Sequence, residues 1–352
     1  MKIGLYADPH ISQTSSIIVG KSGDFSGRLT NLINSFKWMN RFFKEKGCAM
    51  VVCLGDMTDK PTLTAEEITA LSCCGVENHH LLVGNHCRAD KDGKINSLSI
   101  FKNIYYEPTI LEVPGFYSHD RETVRILVLP YNSTPVDLTQ FKDSVDVILS
   151  HNDIKGYDFG GHVSEVGYEI EDILSKCKLF INGHLHNGAW LIQDRVVNLG
   201  QLSGMNFSSC GGQWEPSVGI LDTDTLTLEI HENPYAYRFK KEEFSTLTKL
   251  KSYLDNLPES GEYVLQARVP DTIAQKSRKL IDQCSKVVAS RVLTSQTKSK
   301  KSSPTKRDEI KLDKSSVYDK LRGFVTSQNP SKYSIEKINE IIDQMEMKEG
   351  AD

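Results

Sequence analysis

The chain has 352 residues, 39% hydrophobic and 25% charged, with 42 Lys+Arg against 46 Asp+Glu for a formal net charge of −4. That length exceeds a typical single domain and suits one large domain with smaller attachments. The composition is ordinary for a soluble globular protein, no run approaches the ~18 apolar residues of a membrane span, and the total charge argues against a generic nucleic-acid binder.

Residues 1–235 alternate short apolar runs with helical stretches, which predicts an α/β fold. Strands are expected at 3–7, 50–54, 81–83, 125–129, 145–149, 179–181 and 195–199. A hairpin follows, with strands at 217–221 and 226–230. The clearest helix spans 26–46, where Leu29, Leu32, Ile33, Phe36, Met39 and Phe43 share one face and Gly47 stops it. A second helix starts at Thr64, which with Glu67 has capping-box spacing. The apolar stretch before Asp8 is too short for a signal-peptide core, so a cytoplasmic protein is expected. Eight cysteines are scattered with no Cys-x-x-Cys pair. A structural zinc site is therefore not expected, and the thiols fit a reducing cytosol.

The character changes after Tyr235. Residues 236–293 read as a small α+β unit, with a helix at 244–257, a strand at 263–269 and a second helix at 271–293. Residues 294–314 are almost without apolar side chains and strongly basic, and read as a flexible linker. Two short amphipathic helices are expected at 315–324 and 334–347. Such a pair can hardly bury its apolar stripe alone. No internal repeat is present.

Five polar clusters each follow a predicted strand. They are Asp8-Pro9-His10, Gly55-Asp56-Met57-Thr58-Asp59, Gly84-Asn85-His86, Ser150-His151-Asn152 and Gly183-His184-Leu185-His186. In an open α/β sheet, the carboxyl ends of the strands form the crevice that binds ligands. Any one cluster has an ordinary reading: an Asp after a strand is a cap or turn former, and a lone His is a surface residue. Five in this order point to a metal site. Carboxylates, an amide oxygen and imidazoles suit transition ions such as manganese. Asp8, His10, Asp56, Asn85, His151, His184 and His186 are more ligands than one zinc needs, and enough for two ions sharing one carboxylate.

These motifs resemble the calcineurin-like metallophosphoesterase superfamily over about residues 1–235. The resemblance implies a four-layer αββα metallophosphoesterase sandwich holding two Mn2+, with Mg2+ an alternative. It places one ion on Asp8, His10 and His186 and the other on Asn85, His151 and His184, with Asp56 bridging. His86 would be catalytic rather than a ligand, stabilising the phosphoryl transition state or protonating the leaving oxygen. One position departs from the pattern. Cys87 stands where the family carries an Asp that orients this histidine, and a thiol is a weak hydrogen-bond partner. Asp59 is the candidate to take over that support.

Within the superfamily the chain is most similar to SbcD-type DNA-repair nucleases, including the phage recombination endonuclease subunit. The start through Asp8-Pro9-His10, the run from His151-Asn152-Asp153 to Gly161, and the order of segments after residue 235 carry this likeness. It implies a manganese-dependent exonuclease and single-strand endonuclease acting on DNA ends, working with an SbcC-type SMC-like ATPase. Residues 236–293 would be a DNA-binding capping domain, and the helical pair at 315–352 would bind the ATPase. A homodimer is also implied, with residues 64–71 and 98–101 at its seam; a phage-encoded protein would work in its bacterial host's cytoplasm. The rival readings are a small-molecule phosphodiesterase or protein phosphatase of the same fold, and a non-catalytic scaffold. Split by region, the charge no longer opposes nucleic acid: residues 276–314 hold 12 Lys+Arg against 4 Asp+Glu. That basic stretch can contact phosphates while the rest stays acidic.

Overall fold

The computed structural model describes residues 1–15, 18, 20–90, 94–102, 108–117, 124–142, 144–157, 163–209, 211–295 and 342. The chain divides into two compact units, Met1–Thr297 and Lys298–Asp352. The linker beyond Ser295 and the helices expected at 315–324 and 334–347 lie outside the described residues, apart from Ile342, which is buried.

The first unit opens with β1 (Lys2–Tyr6), the two-residue strands β2 (Lys21–Ser22) and β3 (Phe25–Ser26), α1 (Gly27–Glu45), β4 (Met50–Cys53), α2 (Ala65–Ser72) and β5 (His79–Leu82). Next come β6 (Thr109–Leu111), β7 (Gly115–Tyr117), β8 (Ile126–Leu129), β9 (Val145–Ser150), α3 (Ile170–Lys176), β10 (Cys177–Asn182), β11 (Ala189–Ile192) and β12 (Val196–Asn198). A hairpin of β13 (Ser217–Asp222) and β14 (Thr227–Glu232) leads to β15 (Tyr237–Glu243), α4 (Leu247–Asp255), β16 (Glu262–Pro270), α5 (Ala274–Asp282) and β17 (Val287–Ser295).

Local chemistry sets the helix starts. Ser26 caps α1 by accepting from the Leu29 amide. At α2 the capping box is formed: the Thr64 hydroxyl accepts from the Glu67 amide, and the Glu67 carboxylate accepts from the Thr64 amide at 2.8 Å.

The result is a mixed α/β fold with two parallel-rich sheets. One sheet runs in the order β14-β13-β1-β4-β5-β6, with β1, β4, β5 and β6 parallel. The other runs β11-β12-β10-β9-β8-β7, with β8, β9, β10 and β12 parallel. Ile3, Leu5 and Val52 of the first sheet share one buried core with Val147, Leu149 and Ile181 of the second, so the sheets pack face to face. On its other side the first sheet packs Tyr6 and Leu81 against Leu29, Phe36 and Met39 of α1 and Leu71 of α2. The second packs Ile148 and Phe180 against Ile173 of α3. Each of these large buried side chains contributes about 1.5–3 kcal/mol. Together they fix the strand ends from which the polar clusters emerge.

Residues 237–295 form a separate three-stranded parallel sheet, β15-β16-β17. Its core joins Leu250 and Leu254 of α4, Ile281 of α5, and Tyr263 and Leu265 of β16. Here the expected helix at 271–293 needs correction. It ends at Asp282, and Val287–Ser295 is a strand paired with β16. The run Val287-Val288-Ala289-Ser290-Arg291-Val292 is rich in β-branched residues, and pairing with a distant strand decides its form. Strands β2, β3, β6, β7, β11 and β15 are not expected from the sequence pattern. No helix among the described residues is long and apolar enough to cross a membrane.

Candidate metal centre

The five clusters meet at the carboxyl ends of β1, β4, β5, β9 and β10. Three groups of potential ligand atoms form there, each with all its atoms within 4.8 Å of one another. The first is Asp8, His10 and His186; the second is Asp56, His151 and His184; the third is His10, Asp59 and His86. Asn85 adjoins the second, its Oδ1 3.2 Å from His151 Nε2. Asp56 reaches both: its Oδ2 lies 3.1 Å from His151 Nε2 and 3.8 Å from His10 Nε2. His10 and His186 face each other with their Nε2 atoms 2.9 Å apart. All seven residues expected as ligands are thus brought together, and His86 stands at their edge, its ring edge-on to His10 at 4.7 Å.

The backbone is bent to achieve this. Asp8, His10, Asp56 and His184 all have left-handed φ, at 50°, 46°, 47° and 73°. For a non-glycine residue this conformation costs roughly 1–2 kcal/mol. The neighbouring glycines serve another purpose. A Cβ on Gly55 would lie 2.1 Å from His151 Nδ1, and one on Gly84 would lie 2.1 Å from Asp56 Oδ1. These motif glycines therefore leave room for the ligands themselves.

Backbone hydrogen bonds orient the side chains. The His86 amide donates to Asp56 Oδ1 at 2.8 Å, and the His184 amide donates to Asp8 Oδ1 at 3.2 Å. His151 Nδ1 donates to the Leu54 carbonyl at 2.6 Å, which fixes the tautomer and turns Nε2 toward Asp56. Asn182 ties the strand ends together, accepting from the Asn152 amide and donating to the Asn152 carbonyl. Asn198 donates to the Leu185 and Asn187 carbonyls and so pins the loop that carries His184 and His186.

Cys87 does not orient His86. It is buried in the core beside α1, where its sulfur accepts from the Thr58 hydroxyl at 3.6 Å. The support comes from Asp59, through its backbone: His86 Nδ1 donates to the Asp59 carbonyl at 2.9 Å. The Asp59 carboxylate lies between two histidines, its Oδ1 3.4 Å from His10 Nδ1 and 3.8 Å from His86 Nδ1. Sequence reasoning missed Asp153, whose Oδ1 lies 3.3 Å from His184 Nε2. The signal was its place two residues after His151.

The electrostatics ask for a cation. Asp8 and Asp56 are buried, and Asp8 Oδ2 has no hydrogen-bond partner among the described residues. Burial raises the Asp8 carboxyl above its ordinary pKa, against the pull of His151 and His10. Burial also opposes charge on Asp56, yet His151, His10 and His86 outweigh it and hold its pKa well below the usual range. Burial likewise disfavours charge on His151, but Asp56 and Asp8 overcome it and lift its pKa to about 9. His186 is pushed down to about 3 by burial, with His10 adding to the effect. Two buried carboxylates, one with a bare oxygen, amid converging imidazoles fit divalent ions.

No curated protein matches the sequence. Among solved structures, the E. coli phosphoesterase Yfce is similar at 14% identity, covering 66% of this chain and 100% of that one, with a TM-score of 0.32. A family model described as calcineurin-like phosphoesterase matches residues 1–188, a span that contains every residue of the three ligand groups together with Asn85. With that match over more than half its length and this geometry at its strand ends, the chain belongs to the calcineurin-like phosphoesterase family, whose members use divalent metals.

Proposed function

We propose that the protein is a manganese-dependent DNA nuclease, with exonuclease activity on duplex ends and endonuclease activity on single strands. In this reading Asp8, His10 and His186 hold one ion, Asn85, His151 and His184 hold the other, and Asp56 serves both. A bound pair of divalent ions supplies charge for the phosphate and leaving oxygens and lowers the pKa of a water. The protein's own residues do the rest. The Asp59 carbonyl engages His86 Nδ1. That leaves Nε2 for the phosphoryl group, or for the proton passed to the leaving oxygen. The glycines and left-handed turns hold every donor in place before substrate arrives.

One observation carries the nuclease reading over a small-ester hydrolase. β15, the first strand of the three-stranded unit, lines a cleft together with His186. A substrate longer than a small ester can span the metal centre and that unit. Lys276, Arg278 and Lys279 on α5 and Arg291 on β17 are exposed on the three-stranded unit and can meet backbone phosphates. On this reading the sandwich is four-layered αββα and residues 236–293 cap it.

The other parts follow from the same family likeness. The helical pair at 315–352 binds an SbcC-type ATPase, and two copies of the chain pair through residues 64–71 and 98–101. Ile68 and Ile100, 45% and 39% exposed, offer apolar surface in those two segments, while Leu71 and Leu98 belong to the core. The deciding experiment is cleavage of end-labelled linear duplex DNA with manganese, beside hydrolysis of a cyclic nucleotide. Degradation of the DNA supports the proposal. Intact DNA beside a hydrolysed cyclic nucleotide replaces it with the small-ester reading.

A further inference from the structure

A further strand end reaches the metal centre. β8 runs out through Pro130 into Tyr131, whose ring centroid lies 5.7 Å from that of His184 and 6.5 Å from that of His151. The segment is firmly held. The Tyr131 amide donates to the Val83 carbonyl at 2.9 Å. Asn152, beside His151, donates to the Leu129 and Pro130 carbonyls and accepts from the Asn132 amide. The Arg88 guanidinium lies over the Tyr131 ring at 5.7 Å and donates from Nη1 to the Tyr131 carbonyl at 3.3 Å. Arg88 comes from the loop after β5. Its amide donates to the Asn85 carbonyl at 3.3 Å and closes the turn that carries Asn85 and His86. One cation is thus braced between the loops after β5 and β8, and both loops border the second ligand group.

What Arg88 lacks is an anion. It is half-buried, yet among the described residues its guanidinium makes one hydrogen bond and no ion pair. A guanidinium carries five N–H donors in a planar fork that matches two oxygens of a carboxylate or a phosphate. The carboxylates of the crevice, Asp8, Asp56, Asp59 and Asp153, meet histidines instead. A centre that attracts divalent ions repels a further cation unless an anion lies between them. The ring and the carbonyl nevertheless keep this one at the crevice rather than letting it swing into water. We propose that Arg88 is a substrate-binding residue, its guanidinium donating to phosphate oxygens of the bound ester, and that Tyr131 is the residue that positions it. The proposal rests on the phosphoesterase metal centre and deepens the proposed function by naming a substrate contact. It holds whether the ester belongs to DNA or to a small molecule. None of the seven expected ligands, nor His86, carries a permanent positive charge, and arginine supplies one at every pH the folded protein meets.

The test uses the full chain with manganese and two probes. Inorganic phosphate is titrated calorimetrically, and hydrolysis of bis(4-nitrophenyl) phosphate is followed by colour. Arg88→Met should weaken phosphate binding about 30-fold, the size of a hydrogen bond between charged groups, and should lower kcat/KM for the diester by at least as much. Arg88→Lys should stay about tenfold below the wild type, because lysine keeps the charge and lacks the fork. Tyr131→Leu should weaken phosphate binding about threefold, and Tyr131→Phe, which keeps the ring face, should restore it. Manganese binding and thermal unfolding should match the wild type throughout. Undiminished phosphate binding in folded Arg88→Met overturns the proposal. Loss of manganese in step with phosphate also overturns it, since Arg88 would then serve only to hold the Asn85 turn. Should Arg88→Met fail to fold, Arg88→Lys decides, and wild-type phosphate affinity in that variant overturns the proposal. None of these outcomes touches the nuclease reading, which falls only if linear DNA stays intact with manganese.

Discussion

The sheet built on β1, β4 and β5 delivers two carboxylates, an amide and two imidazoles to the crevice: Asp8, Asp56, Asn85, His10 and His86. The sheet built on β9 and β10 delivers imidazoles alone as ligands: His151, His184 and His186. Both carboxylates of the Asp8 and Asp56 groups therefore come from one sheet, and three of the four imidazoles in those groups come from the other. Asp56 and His151 meet across the seam at 3.1 Å. The difference teaches that the candidate ligand groups of Asp8 and Asp56 each draw on both sheets, so the core between the sheets is what assembles them.

The largest effect should come from the acidic half. Asp56→Ala should lose manganese and hydrolysis together, with activity falling by about ten-thousandfold. Manganese uptake by this variant, followed by equilibrium dialysis, would show that the imidazole half suffices and would break the division drawn above. His86→Ala should behave differently, because the groups of Asp8, His10 and His186 and of Asp56, His151 and His184 are complete without His86. It should keep its manganese while cleavage falls by about a thousandfold; full activity would remove its role.

A third prediction compares buried imidazoles. His151 is lifted to about 9 by its carboxylates, whereas burial lowers His79 to about 4, with His80 adding to the effect. His79 opens β5 and is buried, and its Nδ1 accepts from the Tyr6 hydroxyl at 3.1 Å. Its folded pKa lies below the unfolded value near 6.5, so the unfolded chain takes up the proton first. The stability it protects is complete above pH 6.5 and is lost as the pH falls toward 4. The loss should reach roughly 3 kcal/mol in urea unfolding and should flatten in His79→Phe. The smallest effect belongs to the imidazole half. Asp153→Asn should weaken manganese binding by about tenfold through its contact with His184, as isothermal titration would show.

Much of this arrangement was legible in the sequence. Each cluster sits directly after an apolar strand, and the α/β topology sends parallel strand ends to one edge, so convergence followed from order alone. The Thr64–Glu67 capping box and the apolar face of α1 were equally local. What escaped depended on distant pairing or on backbone atoms. Val287–Ser295 is a strand because β16 lies beside it, which no pattern within 271–293 announces. Asp59 is the expected support of His86, but that its carbonyl takes the hydrogen bond, with the carboxylate farther off at 3.8 Å, is invisible to side-chain reasoning.

The left-handed turns at Asp8, His10, Asp56 and His184 have a consequence for anyone who evolves this protein for heat resistance. At about 1 kcal/mol each they cost a sizeable share of the ~5–15 kcal/mol that holds a typical domain together. Glycine at any of the four would relax the chain, and at positions 8 and 56 it would also discard a buried carboxylate. A screen that scores survival after heating, without asking for bound metal, would drift toward these substitutions. It would return a sturdier protein with an empty crevice, so selection for endurance must be coupled to selection for catalysis.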